Sequence, residues 1–419
     1  MNLVVLAAIF SGCGGSSGKT AGTEGGSCFP NLTCDTGLTC ASNLCVRLSG
    51  AGGAGDSIGA GGAAGAGPQA GSGGQAGASG QAGASGQAGA SGQAGAAGSA
   101  GQGGGAGAGG QAGAGGTGGQ GPVSYAIHLG PIQVAAGVEN TQCVVVRLGN
   151  SAAIHIGQIR NQLGPAAVQM ILYTSTDTTE QTTPFACAPF SNVFTQTGVT
   201  PLTISENPDE TLTFPTGVGV PLGVNQMMRI ELHYANLTES DPVTVEATST
   251  LTTMPDAGFQ SSASLLAVEG IDISIPPEGT FALSAFIPFP STLGGAKIFA
   301  VTGQEHQWGT SAQLFSASSS SDPGTSIYLD TSWNMPPLTP LQPALTAAAG
   351  AGLGLACNWL NASHATVKYG AGATDEICLF VAYYYPSQGP TVCLHTAQGG
   401  GGGLNVCCPG ASGCDTLGQ

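Results

Sequence analysis

Basic residues are scarce in this 419-residue chain: 7 Lys plus Arg stand against 23 Asp plus Glu, a formal net charge of −16. No basic stripe exists for phosphates to follow, which argues against nucleic acid as a partner. The negative field mildly favours cations, and it also serves simply to keep an exported protein soluble. Long apolar runs are missing too, and beyond the short one at the start none could cross a bilayer as a helix. No segment has a helical period comparable in length to the strand-like runs. None of the H-x-H, H-x-x-x-H or H-E-x-x-H spacings occurs among the six histidines.

Glycine, by contrast, is in excess at 72 residues, too many for packed core throughout. Most of the excess lies in residues 48–121, almost only Gly, Ala, Ser and Gln, with GQAGAS repeated through the middle. Such side chains bury too little apolar area to offset the cost of ordering the backbone, so the segment reads as a disordered tether. As a random coil of ~74 residues it would span about 45–50 Å root-mean-square. Glycine also recurs at every third position from Gly71 to Gly119, the period of a collagen-like trimeric stalk, but no proline is present there to pre-set the extended backbone.

The start, MNLVVLAAIFSGCGG, resembles a bacterial lipoprotein signal, which implies lipid attachment at Cys13 and a place in the cell envelope or on its outer face, on the outer membrane. Membrane lipid would then be a partner through Cys13. Twelve further cysteines form an even set, as an oxidising compartment allows. Cys28, Cys34, Cys40 and Cys45 fall in a segment too small for a core unless stapled, and they lack the C-x-x-C knuckles of structural zinc sites. Cys393, Cys407, Cys408 and Cys414 read as a second stapled region, with the pairings open in both.

The packed part is written in strands. QCVVVRL, AVQMILYT, QMMRIELHYA, VTVEATSTLTTM, GIDISIPP, AKIFAVTG and EICLFVAYYY are short, β-branched or aromatic, and separated by Gly, Pro, Asn and Asp. The expected fold is therefore all-β, with two consecutive antiparallel, jelly-roll-like sandwiches meeting near Pro255. The full organisation reads as 1–13 signal, 14–47 Cys-rich module, 48–121 tether, 122–255 and 256–398 sandwiches, and 399–419 a Gly/Cys-rich tail. In MMRIELHYAN the alternation sets Ile230, Leu232 and Tyr234 on one face and Arg229, Glu231 and His233 on the other, so His233 points away from the expected core. His306 lies in a strand-to-turn context with Gln304 and Trp308 at the same parity. His128 and His155 fall near early strands, and His364 and His395 in late loops.

The succession QCVVVRL, AAVQMILYTS, NQMMRIELHYANL, IFAVTGQEHQWGT, LACNW and ATDEICLFVAYYYP resembles the copper type II, ascorbate-dependent monooxygenases, the family of the peptidylglycine hydroxylating and dopamine β-monooxygenases, over Tyr125 to His395. The resemblance implies two copper sites. An adjacent histidine pair falls on Val168 and Gln169 and the third ligand on His233. In the second domain an H-x-H falls on Gln304 and His306 and a methionine on Ile377. Two of those six positions keep a histidine; valine and isoleucine cannot coordinate copper, and an amide oxygen suits Cu(I) poorly. It further implies disulfide pairs Cys357–Cys378 and Cys143–Cys187. The expectation is a non-catalytic, surface-displayed binding or structural protein with no tightly bound cofactor. The alternative is an active copper monooxygenase that hydroxylates a C–H substrate with ascorbate as reductant. In the resembled fold His233 and His306 face each other across a solvent-filled gap. That implies a wide groove lined by both histidines with Glu231, Gln304 and Trp308, suited to a small polar ligand or another surface component.

Overall fold

Six of the seven strand-like runs form strands, while GIDISIPP holds only the short Ser274–Ile275 after the end of a strand at Ser264–Gly270. A computed structural model describes residues 19–26, 28, 33–41, 44–47, 121–187, 198–397 and 403–409. Among them there is no α-helix, only 3-10 turns at Asp256–Gly258 and Ser291–Leu293. Cys13, nearly all of the glycine-rich segment 48–121, and residues 410–419 of the tail lie outside the described residues.

The first sandwich sets a six-stranded sheet against a five-stranded one. The former runs Ser261–Ser262, Val218–Leu222, Ile154–Leu163, Val243–Met254, Ser124–Val134, with Asp209–Thr213 also paired to Ile154–Leu163. The latter runs Gln181–Ala186, Glu139–Arg147, Met227–Ala235, Ala167–Ser175, Val199–Ser205. Strand Val243–Met254 shows the period-two logic: Val243, Val245, Ala247 and Leu251 are buried, while Thr244 and Glu246 between them are exposed. His128 and His155 sit on strands of this sheet; His128 bonds Thr248 (2.8 Å), and His155 pairs with Asp256 (2.8 Å) and stacks on Phe259.

The second sandwich contains a six-stranded sheet, Thr339–Thr346, Lys297–Gln304, Leu379–Tyr385, Ser264–Gly270, Thr391–Thr396, Leu404–Pro409. Facing it is a four-stranded sheet, Gly279–Pro288, Gly352–Asn361, Gly309–Ala317, Thr325–Asp330. Residues 404–409, within the expected tail, thus form an edge strand tied by Cys393–Cys407, and His395 lies on the neighbouring strand rather than in a loop.

LFVAYYY is buried on both faces, and that decides how the sandwiches meet. Leu379, Val381 and Tyr383 join a core shared with Ile171, Tyr173 and Ile204 of the first sandwich, whereas Phe380, Ala382 and Tyr384 fill the core of the second. A continuous apolar run is what a strand covered on both sides requires, so this sheet is the middle layer of the stack. The disulfides Cys143–Cys187 and Cys357–Cys378 are both formed. In the small module Cys28 pairs with Cys40 and Cys34 with Cys45.

Candidate functional site

Strand register builds the first half of the site. Met227–Ala235 lies between Glu139–Arg147 and Ala167–Ser175, with His233 directly opposite Thr141 on one side and Gln169 on the other. Directly paired residues share a face, so Gln169, His233 and Thr141 stand in a row on the side turned to the second sandwich. The other half comes from the end of Lys297–Gln304 and the turn that follows. Gly303 is needed there because a Cβ would lie 2.7 Å from Phe380 Cε1 and 2.8 Å from Tyr328 Cε1. Gly309 is needed because a Cβ would come within 2.6 Å of Glu305 Oε2.

These halves close on each other. Gln169 Nε2 donates to Gln304 Oε1 at 3.2 Å and to Glu206 Oε1 at 3.1 Å, so one hydrogen of this amide bridges the two sandwiches and the other stays within the first. The expected wide, solvent-filled groove is therefore corrected: Val168, Gln169, His233, His306 and Ile377 line, with Glu206, a crevice with room for about one water molecule. Between the two histidines the shared apolar core leaves no open gap, whereas on its other side His233 borders a shallow open pocket of about 320 Å³ with Glu139, Asn140, Thr141, Ala371 and Gly372. Glu231 does not line the crevice. Its side chain is buried, and its carboxylate accepts the Tyr173 hydroxyl at 2.8 Å. Trp308 is half-buried against the core of the second sandwich and offers no open aromatic platform.

Both histidines are engaged. His233 Nδ1 lies 2.9 Å from Thr141 Oγ1 and its Nε2 3.1 Å from Glu139 Oε1, an ion-pair distance without the alignment of a good hydrogen bond. Glu139 also accepts the Ala373 N–H at 2.8 Å, a second polar link between sandwiches, and these contacts hold its carboxyl below the usual range, His233 contributing most. His306 Nδ1 donates to the Asp375 carbonyl at 2.9 Å, which leaves Nε2 as the unprotonated nitrogen. Burial, aided by the nearby His233, pushes its pKa down and keeps the ring neutral.

Carboxylates that sequence reasoning missed surround the turn. Glu376 accepts the backbone N–H of His306 (2.8 Å) and Trp308 (2.7 Å) and the Trp359 indole N–H (2.9 Å), and burial still raises it to about 7. Burial and the Glu376 charge push Glu305 up to about 9. Burial likewise raises Glu206 well above its ordinary value, with Glu210, Asp330 and Glu376 adding like-charge repulsion. The DE before Cys378 was a usable signal for Glu376; nothing local marked Glu206, which follows a strand in SENPDE.

The donor set does not fit the two coppers that the resemblance implies. Val168 and Ile377 have no donor atom, the two glutamine amides bond each other, and His233 and His306 are left as one imidazole for each implied site. Two other groups do have the geometry to hold a metal, with ligand atoms within 4.8 Å of one another: Cys28, Cys34 and Cys45, and Cys143, Cys187 and Glu231. All of those sulfurs are joined in disulfides and so carry no thiolate for a metal.

No family model matches the chain. No curated protein matches it. Among solved structures it is similar to infectious bursal disease virus, Gx strain, at 9% identity over 63% of this chain and 72% of that one, with a TM-score of 0.16. The VP2 subviral particle of the same virus matches at 11% identity over 63% and 71%, TM-score 0.15. The virus-derived T=1 particle matches at 10% over 63% and 69%, TM-score 0.14. At these scores the likeness carries no argument about this chain.

Proposed function

We propose that this chain is a divergent, non-catalytic protein of the copper-monooxygenase-like fold, anchored through Cys13 and displayed on the outer face of the cell envelope as a binding or structural module. The observation that carries the reading is the Gln169–Gln304 hydrogen bond: two positions where the resembled family places copper ligands are joined to each other instead. Redox catalysis between two coppers needs selective, imidazole-rich sites, and a single histidine per site gives weak, unselective binding. The same closure that removes the metal sites stiffens the junction, as suits a displayed scaffold.

Copper loading tests this. After loading with Cu(I) and desalting, the protein is expected to retain far less than two equivalents. Retention of two, each lost separately in His233→Ala and His306→Ala, would sink the reading in favour of an active monooxygenase with an altered metal site.

A further inference from the structure

The small disulfide module does not stand apart. Its own core is cysteine, with Cys28, Cys40 and Cys45 buried together beside Cys34 and Leu38. On its short strand Leu44–Val46, Cys45 faces that core, while Leu44 and Val46 project the other way, as alternation demands. Those two side chains are 3% and 1% exposed, and they belong to the large core of the sandwiches. With Val168, Ala235, Leu237, Trp333 and His306 as its other walls, they line a narrow apolar recess in which only about 40 Å³ stays free while both side chains are in place. Two of these wall residues, Val168 and His306, also line the crevice described above. At the margin Asn334 donates to the Cys40 carbonyl, and Lys19 pairs with Asp241.

We propose that this recess is a docking groove for two aliphatic side chains spaced two residues apart on an extended strand, and that Leu44 and Val46 of the chain's own module occupy it as a displaceable plug. The module has two disulfides to hold its shape when it is undocked. Among the described residues its apolar contact with the body rests on one aliphatic pair. Residues 48–121 offer almost no apolar side chain to reinforce it. Gly/Ser-rich linkers of such length supply an effective concentration of roughly millimolar order, enough to keep a weak contact mostly formed in one chain and not between separate pieces. Undocking bares Val168, Ala235, Leu237 and Trp333, an aliphatic and aromatic face next to His306.

The test uses the full chain, with a specific protease site inserted in the glycine-rich segment, and hydrogen exchange read by mass spectrometry. Uncut protein is expected to protect the strand ends around Val168 and Ala235 and the turn at Trp333. After cutting and dilution to nanomolar concentration, exchange there should rise at least tenfold. The L44D/V46D double variant should show the same rise without cutting, while its disulfides stay intact by mass. Trp333→Ala, outside the module, should raise exchange at residues 44–46 to a similar degree, and Leu360→Asp, on an exposed face, should change neither. Protection that survives cutting and dilution would make the module a permanent part of the body, and protection unchanged by L44D/V46D would show that these side chains do not fill the groove; either overturns the proposal.

Discussion

The glutamine pair makes a quantitative claim about how the two sandwiches are joined. Gln169 and Gln304 are both at most 5% exposed, so neither amide has water to replace a lost partner. Gln304→Leu removes the acceptor of one Gln169 hydrogen and strands that N–H in a dry site, at a cost of ~1–3 kcal/mol. Some of this is offset, because among the described residues Gln304 Nε2 has no partner and its replacement by a methyl relieves a buried polar group. A net loss of about 1–2 kcal/mol follows. Gln169→Leu deprives both Gln304 and Glu206 of a donor and should cost about 2–4 kcal/mol. In the double variant the second change strands nothing further, so it should cost about as much as Gln169→Leu alone, with a coupling energy of ~1–2 kcal/mol. Urea unfolding at pH 5, followed by fluorescence and near-ultraviolet dichroism, measures all four proteins. Single effects that add to within about 0.3 kcal/mol would refute the pairing of these amides across the interface.

Further expectations concern the buried carboxyls, the turn and the staples. Glu269 is buried and raised to about 7 by its burial, against an ordinary 4.5; a raised folded value means that its contribution is fully present below about pH 4.5 and is lost as pH climbs through 7. Glu269→Gln should therefore gain up to about 3 kcal/mol relative to wild type between pH 5 and pH 8.5, and identical pH slopes in chemical denaturation would contradict the assignment. Glu376→Ala leaves three donors without an acceptor and should lower stability by about 3–6 kcal/mol, with loss of the Trp359 near-ultraviolet signal; a change under about 1 kcal/mol would show the turn to be held by other means. The Cys357→Ser/Cys378→Ser double variant opens a loop of sequence separation 21 and should lose about 3 kcal/mol by loop-closure entropy, read as a drop in urea midpoint.

The strands were legible because their signals are local. Alternation in VTVEATSTLTTM and the unbroken apolar run LFVAYYY identify a one-face and a two-face strand from side-chain chemistry alone, and the Gly, Pro and Asn between runs mark their ends. Alternation also placed His233 on the face opposite Leu232, and no longer-range information was needed. Motif order singled out Val168, Gln169, Gln304 and Ile377 together with His233 and His306, and all but Gln304 line one crevice in the fold.

How the two sandwiches close on each other was not readable, since it depends on distances between residues more than a hundred positions apart. Gln169 meets Gln304, Glu139 meets Ala373, and Leu44 meets the sandwich core only because the large sheet of the second domain is apolar on both faces and packs against the first. A groove lined by Glu231 and Trp308 was a reasonable expectation from strand parity. Parity tells which face a side chain takes and not what covers that face. Here Glu231 bonds Tyr173 of its own sheet, and the covering layer leaves between the two histidines a crevice for a single water. Sequence determined the elements and the chemistry each face carries; the separation of the faces was set by how much apolar surface the whole chain buries between them.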